Sequence, residues 1–182
     1  MFAGILPQPE EVALNLPGDE LIEQPTAVID SAFDLPASPA EVWPWFVQLG
    51  KRRAGWYFPR WVEWFVLPSR RGLRSIEPKW QELKVGQRIP DYGGKQGYFD
   101  CFYLAEDRAI GYTSTRGRIT MTWVLTFWPK GKHTRVIIRL RMKSTKGGNS
   151  PLWKLGKIFD RLTIAGLAAG LRERLQQSLH FL

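Results

Sequence analysis

One cysteine, Cys101, and two histidines, His133 and His180, are all that the 182-residue chain offers of the residue types that build disulfides and most transition-metal sites. A lone thiol cannot close an internal disulfide and excludes a cysteine-based structural zinc site. No metal and no cofactor are expected. Long apolar runs are missing too: none approaches the roughly 20 residues that a membrane-crossing helix requires. The N-terminus lacks the basic-then-apolar order of an export signal and carries Glu10, Glu11 and Asp19 early, so a cytoplasmic location is the simplest expectation. Repeats and low-complexity tracts are also absent.

What is present is ordinary in bulk. Hydrophobic residues make up 44% and charged residues 24%, the usage of a globular protein, which excludes wholesale disorder. A chain of this length buries about 70% of the surface its unfolded form exposes, enough for one sizeable core. Two features stand out: nine tryptophans, and a formal net charge of +9. Excess positive charge eases contact with nucleic acid, anionic lipid or an acidic ligand, and it says nothing about fold.

Residues 1–25 read as an arm punctuated by Pro7, Pro9, Pro17, Gly18 and Pro25, with one or two helical turns between Glu10 and Leu16, packing outside a single domain at 26–182. Thr26 to Leu35 alternates as a strand, with Ile29, Ser31, Phe33 and Leu35 on one face and Asp30, Ala32 and Asp34 between them. Ser38, Pro39 and Glu41 make a capping box that opens a helix carrying Val42, Trp45, Phe46 and Leu49 and ending at Gly50. A second helix is expected between Pro59 and Pro68, holding Trp61, Glu63, Trp64 and Phe65, then a loop from Arg70 to Lys79 and a short strand at Gln87 to Ile89.

From Tyr98 onward the pattern is antiparallel sheet: Tyr98–Leu104, Ala109–Ser114, Ile119–Trp128 and Thr134–Lys143, separated by turns at Glu106-Asp107, Arg116-Gly117 and Pro129–Lys132. In the last strand Val136, Ile138, Leu140 and Met142 alternate with Arg135, Arg139, Arg141 and Lys143, which predicts one covered face and one wet, basic face. A Gly-rich link at Lys146 to Pro151 precedes a long helix from Leu152 to about Leu179. One stripe of that helix holds Leu155, Ile158, Phe159, Leu162, Gly166 and Ala169, beside Lys154, Arg161 and Arg172. A second apolar line holds Ile164, Leu171 and Leu175. The fold class is therefore α+β, a curved antiparallel sheet wrapped around a long C-terminal helix, with two short helices after the first strand.

The run Val42-Trp43-Pro44-Trp45-Phe46-Val47-Gln48-Leu49-Gly50, followed by Arg53-Ala54-Gly55-Trp56-Tyr57, resembles small bacterial members of the SRPBCC superfamily, which includes START lipid-transfer domains, polyketide cyclases and birch-pollen-allergen proteins. Gly18-Asp19-Glu20-Leu21, Trp80-Gln81-Glu82-Leu83-Lys84-Val85-Gly86 and Thr122-Trp123-Val124-Leu125 with Thr134-Arg135 fit as well. The resemblance runs from about Pro17 to Arg141. It implies a helix-grip fold with an apolar cavity between sheet and last helix, and it specifies chemistry poorly. Where similar relatives place Ser-Tyr-Asp, this chain has Phe58-Pro59-Arg60, and Trp64 replaces a polar residue. If the second helix borders the cavity mouth, that mouth is unusually aromatic and basic.

Within that frame the expected function is binding or transport of a small apolar or amphipathic ligand, lipid-like or polyketide-like. The candidate lining is Trp56, Tyr57, Trp61, Phe99, Tyr103, Met121, Trp123 and Met142, with Arg53 as polar anchor. The alternative is a cyclase- or dehydratase-type enzyme in the same cavity. Its weak catalytic candidate is Asp100, which lies in a strand among Tyr98, Cys101 and Tyr103: turned inward it would need a partner or a raised pKa, and turned outward it would pair with a basic neighbour. Asp91 and Glu63 are weaker candidates still. No phosphate loop or nucleophile elbow is present, Gly93-Gly94 and Gly147-Gly148 lacking the necessary spacing and setting. Nucleic acid is disfavoured because most aromatics face the core. Transient contact with an anionic membrane surface and a homodimer through Ile164, Leu171 and Leu175 are the remaining partner expectations.

Overall fold

The computed structural model describes residues 3–92, 97–145 and 151–179, with the backbone alone for Ala3, 151–155 and 178–179. The link at 146–150, Gly93, Gly94 and His180, and the side chains of Lys154 and Leu155, lie outside the described residues. In chain order the elements are α1 (Pro9–Val12), β1 (Ala27–Leu35), α2 (Pro39–Val47), α3 (Arg60–Glu63), β2 (Arg88–Pro90), β3 (Tyr98–Ala105), β4 (Ala109–Arg116), β5 (Ile119–Lys130), β6 (His133–Ser144) and α4 (Pro151–Leu179). The six strands form one antiparallel sheet in the order β1-β6-β5-β4-β3-β2. Helix α4 lies against β1, at the far edge from β2.

Local chemistry sets these boundaries. At the start of α2 the Glu41 carboxylate accepts from the Ser38 backbone N–H at 2.8 Å and from its hydroxyl at 2.6 Å, satisfying a donor the helix leaves orphaned. The β4–β5 and β5–β6 turns place Gly117 and Gly131 at φ of 59° and 60°, a region where a side chain is costly. The second helix is shorter than expected, a single turn. Beyond Glu63 the residues Trp64, Phe65 and Leu67 are exposed, so no buried stripe supports a longer helix.

The inner face of the sheet carries the main core. Phe33, Leu35, Ile110, Leu125, Val136 and Ile138 pack there with Leu167, Ala168, Leu171 and Leu175 of α4. Helix α2 closes one end through Trp43 and Phe46, whose rings lie 5.8 and 4.9 Å from that of Phe127. The apolar line Ile164, Leu171 and Leu175 is thus inside the core, not on a surface open to a second copy. The stripe containing Ile158, Phe159 and Leu162 is the exposed one. Helical periodicity distinguishes two faces of a helix but does not say which is buried.

The outer face is not the wet, basic surface that the alternation predicts. The N-terminal residues lie over it. Leu16 is buried against Ala32, Val124 and Ile137. Arg139, 4% exposed, donates to Asp30 and Asp19 at 2.7 Å each and to the carbonyls of Leu14 and Val12 at 2.7 Å. Arg135 forks onto Glu11 at 2.7 and 2.9 Å and reaches Asp34, and Arg141 donates to the Ile22 carbonyl. The arginine ladder is neutralised by acids from β1 and from the arm.

Candidate functional site

Between the inner face of the sheet and the N-terminal half of α4 lies a cavity of about 700 Å³. Its floor is Ile29, Met121, Trp123, Leu125, Leu140 and Met142 from three adjacent strands, with Phe99 and Tyr112 rising at the β3–β4 side. Trp56 and Phe58 close it from the segment after α2, and Phe159, Asp160, Thr163 and Ile164 roof it. Trp123 is the hub of the aromatic wall: its ring lies 6.1 Å from Trp56, 5.4 Å from Phe99 and 5.8 Å from Tyr112. The Trp56 indole N–H donates to the Thr163 carbonyl at 3.3 Å, which ties wall to roof. Phe159 is 68% exposed and Tyr92 50% exposed although both line the cavity, so among the described residues that side of it is open.

Few polar groups face this space. Arg116 and Asp91 form an ion pair, and the Arg116 guanidinium also stands over the Phe99 ring at 5.0 Å. Burial pushes the Tyr112 hydroxyl well above the ordinary tyrosine range. Asp160 is the unusual group. No hydrogen bond or ion pair to its carboxyl is found among the described residues. Burial raises its pKa to about 6, against the opposing pull of Arg161. A carboxylic acid that titrates near neutrality in an apolar cavity can hold or release a proton there.

That titration has a thermodynamic consequence. Because the folded-state pKa is raised, the folded chain binds more protons than the unfolded chain between about pH 4 and 6, so stability falls as pH rises through that window. Asp160→Asn removes the effect. The variant's Tm, matched to the parent at pH 4, is expected to exceed it by about 5–10 °C at pH 7. Parallel Tm–pH curves for the two proteins would exclude the assignment.

The residues singled out from the sequence divide into three groups. Trp56, Phe99, Met121, Trp123 and Met142 are brought together as cavity lining. Arg53 and Tyr57 lie elsewhere. Arg53 donates to the carbonyls of Val47 at 3.0 Å and Trp80 at 2.7 Å and stacks on the Trp80 ring, a clamp between loops. Tyr57 is fully buried and donates to the Trp45 carbonyl at 2.9 Å while accepting from Gln48 at 3.0 Å. Trp61, Tyr103 and Asp100 are outside the cavity. Trp61 is 69% exposed. A β-bulge between Cys101 and Tyr103 shifts the alternation of β3 by one, and Tyr103 and Phe102 both pack on the Gly111 side, the outer face. Asp100 is on that face too, forked by Arg88 at 2.7 and 2.8 Å, and this pairing holds its carboxyl below the usual range. It is therefore not an inward acid. Glu63 is buried by Arg174 and Arg74. Among the described residues no group of three or more His, Cys, Asp or Glu side chains is placed to hold a metal ion, and no helix is long and apolar enough to cross a membrane.

No family model matches the sequence, and comparison with curated proteins gives no match. Solved structures do match. The chain is similar to protein NE0264 from Nitrosomonas europaea (TM-score 0.51, 16% identity, 84% of this chain and 96% of that one). It is similar to CalU16 from Micromonospora echinospora (0.50, 14%, 82% and 79%) and to Aha1 from Colwellia psychrerythraea, solved as a dimer (0.50, 10%, 80% and 96%). The fold is a helix-grip fold. Sequence identities this low carry the architecture and nothing of the chemistry. In the helix-grip arrangement the cavity is the space that the curved sheet leaves beneath the first half of the gripped helix, where α4 is no longer sealed to β1. Asp160 and Arg116 escaped the sequence reading because a lone acid on a helix and a lone arginine near a turn are ordinary surface residues by pattern. Only the fold places them on the lining of one cavity with Trp123.

Proposed function

We propose that this chain binds a small hydrophobic or amphipathic ligand in the cavity between the sheet and α4. The observation that carries the reading is the cavity itself, about 700 Å³ with walls of tryptophan, phenylalanine, methionine and aliphatic side chains. That is the size and chemistry of small-molecule sites, in which a few polar groups orient a largely apolar guest. Removing apolar surface from water yields about 25 cal/mol per Å² before the costs of ordering the guest. Arg116 with Asp91 at one side and Asp160 at the roof are the polar groups that would orient it.

The test is displacement of a fluorescent apolar probe, paired with native mass spectrometry of the protein purified from its own host. Met121→Trp places a second large ring on the floor next to Met142, its partner across β5 and β6. We expect the probe affinity to fall at least about tenfold with little change in stability, since larger apolar groups are tolerated where free volume exists. Unchanged affinity would place the probe somewhere other than the cavity.

A second reading, a cyclase- or dehydratase-type enzyme, is favoured by one observation. Asp160 is an acid held near neutrality inside the cavity, and Tyr112 lines the same space. In that reading Asp160 takes or gives the proton and the aromatic walls hold the substrate dry. Turnover of a retained ligand that vanishes in Asp160→Asn, with binding intact, separates enzyme from carrier.

A further inference from the structure

We propose that the chain docks on an anionic lipid bilayer through the apolar prominence at 61–67, with the cavity mouth turned toward the lipid. Trp61, Trp64, Phe65 and Leu67 are 69%, 82%, 88% and 64% exposed. These are not side chains on a loose tail. The turn that carries them is held by Glu63, which is 5% exposed and accepts from Arg174 at 2.8 Å and from Arg74 at 2.6 Å. The Arg71 side chain donates to the Val66 carbonyl at 3.0 Å. An anchored segment that keeps four large apolar side chains in water is a contact surface waiting for an apolar partner.

Charge decides which partner. Around the prominence Arg60, Arg70, Arg71, Lys157 and Arg161 are all exposed. The acids at hand are Glu63, already engaged, Glu173, which accepts from the Arg60 backbone N–H at 3.0 Å and pairs with Arg74, and Asp160, turned into the cavity. A second copy meeting this surface by a two-fold axis would set the basic rims against each other. A bilayer with anionic headgroups complements both parts at once: tryptophan settles at the interface, and each nearby basic residue adds about fivefold to membrane affinity. The surface is also continuous with the cavity. Val66 and Arg70 on one side and Lys157 and Phe159 on the other belong to the cavity lining, so a bilayer seated on the prominence meets the opening. The inference deepens the ligand-binding reading by naming the lipid phase as the source of the guest, but vesicle contact and probe binding are separate measurements and can fail separately.

The experiment uses the full chain with vesicles of phosphatidylcholine alone and of phosphatidylcholine with phosphatidylglycerol, read by co-sedimentation and by the blue shift of tryptophan emission. Binding to the anionic vesicles, weakened by salt, is expected. The double variant Trp64→Ala/Phe65→Ala touches neither core nor cavity; it should keep probe binding and lose at least about tenfold in vesicle affinity. Arg60→Glu/Arg161→Glu should lose a comparable factor at low salt and less at high salt. The proposal is overturned by a parent protein that ignores anionic vesicles, by equal binding to neutral and anionic vesicles, or by vesicle affinity unchanged in both variants. It is also overturned if sedimentation equilibrium shows a dimer that Trp64→Ala/Phe65→Ala dissociates, which would assign the prominence to a second copy.

Discussion

Replacing Arg174 by alanine is expected to remove about 3–5 kcal/mol of folding stability, the cost of breaking a buried ion pair from one side, and to lower Tm by about 10 °C or more. Arg174 is 1% exposed. Its guanidinium donates to the carbonyls of Leu73 at 2.7 Å, Gly170 at 2.9 Å, Phe58 at 3.0 Å and Gly72 at 3.1 Å, and to the Glu63 carboxylate at 2.8 Å. It also faces the Tyr57 ring at 4.8 Å. Deleting it leaves several buried acceptors without donors at once. Arg174→Lys keeps a charge but not the fork, and should fall between parent and alanine variant. Because this one side chain ties the 58–73 segment to α4, the alanine variant should also bind an apolar probe more weakly, through a loosened wall. A loss below about 1 kcal/mol in chemical denaturation would mean that water or a neighbouring side chain replaces the arginine, contrary to its burial.

Arg139→Ala is expected to have an effect of similar size, about 3–5 kcal/mol, on the opposite side of the sheet. The substitution strands Asp30 and the carbonyls of Leu14 and Val12, each 2.7 Å from the guanidinium, and takes from Asp19 the nearer of its two arginines, leaving Arg141 at 3.4 Å. Its signature differs from that of Arg174. Proteolysis within residues 5–22 should accelerate before the rest of the chain unfolds, since the arm loses its central tie. Acid should act in the same direction. The hydrogen bond from Arg135 holds the Glu11 carboxyl below its ordinary pKa. A group with a depressed folded-state pKa contributes stability above its unfolded value and loses it as pH falls through the folded one. Limited proteolysis of parent and variant at neutral pH and below about pH 4, under the ordinary glutamate value, measures both effects. Equal cleavage rates in the arm would show that Arg139 does not hold it.

Much of the scaffold was legible in residue order because its signals are local. The alternation of Ile29, Ser31, Phe33 and Leu35, the Ser38–Glu41 box and the turns at Gly117 and Gly131 each act within a few residues, and each appears where expected. The failures involve distance. Asp30 and Asp34 stand directly opposite Arg139 and Arg135 across β1 and β6. The sequence displays both sets of charges but not their pairing, which depends on which strands are neighbours. The β3 bulge moves Tyr103 out of the cavity by a one-residue shift that periodicity cannot register. Gln48 is fully buried, accepting from the Glu77 backbone N–H at 2.9 Å and donating to Tyr57. It sits where composition would put a solvated side chain. The same blindness hid Arg174 and Asp160. In each case a polar residue is interior because something far along the chain meets it.

Gly166 and Gly170 fix how this molecule could admit a guest. A Cβ at Gly170 would lie 2.6 Å from the Tyr57 carbonyl oxygen and from the Phe58 carbonyl carbon, and one at Gly166 would lie 2.7 Å from the Phe58 ring. At Gly170 main chain rests on main chain, and at Gly166 the helix backbone rests on the Phe58 ring, so the two glycines make a close seam between α4 and the 57–58 segment. The two glycines therefore divide α4 mechanically. The half beyond Thr163 is fastened to the 57–58 segment, while residues 156–162 run over the void with Ile158, Phe159 and Leu162 exposed. For a guest that enters as proposed, displacing residues 156–162 would widen the entrance and leave the seam, and the core beyond it, in place.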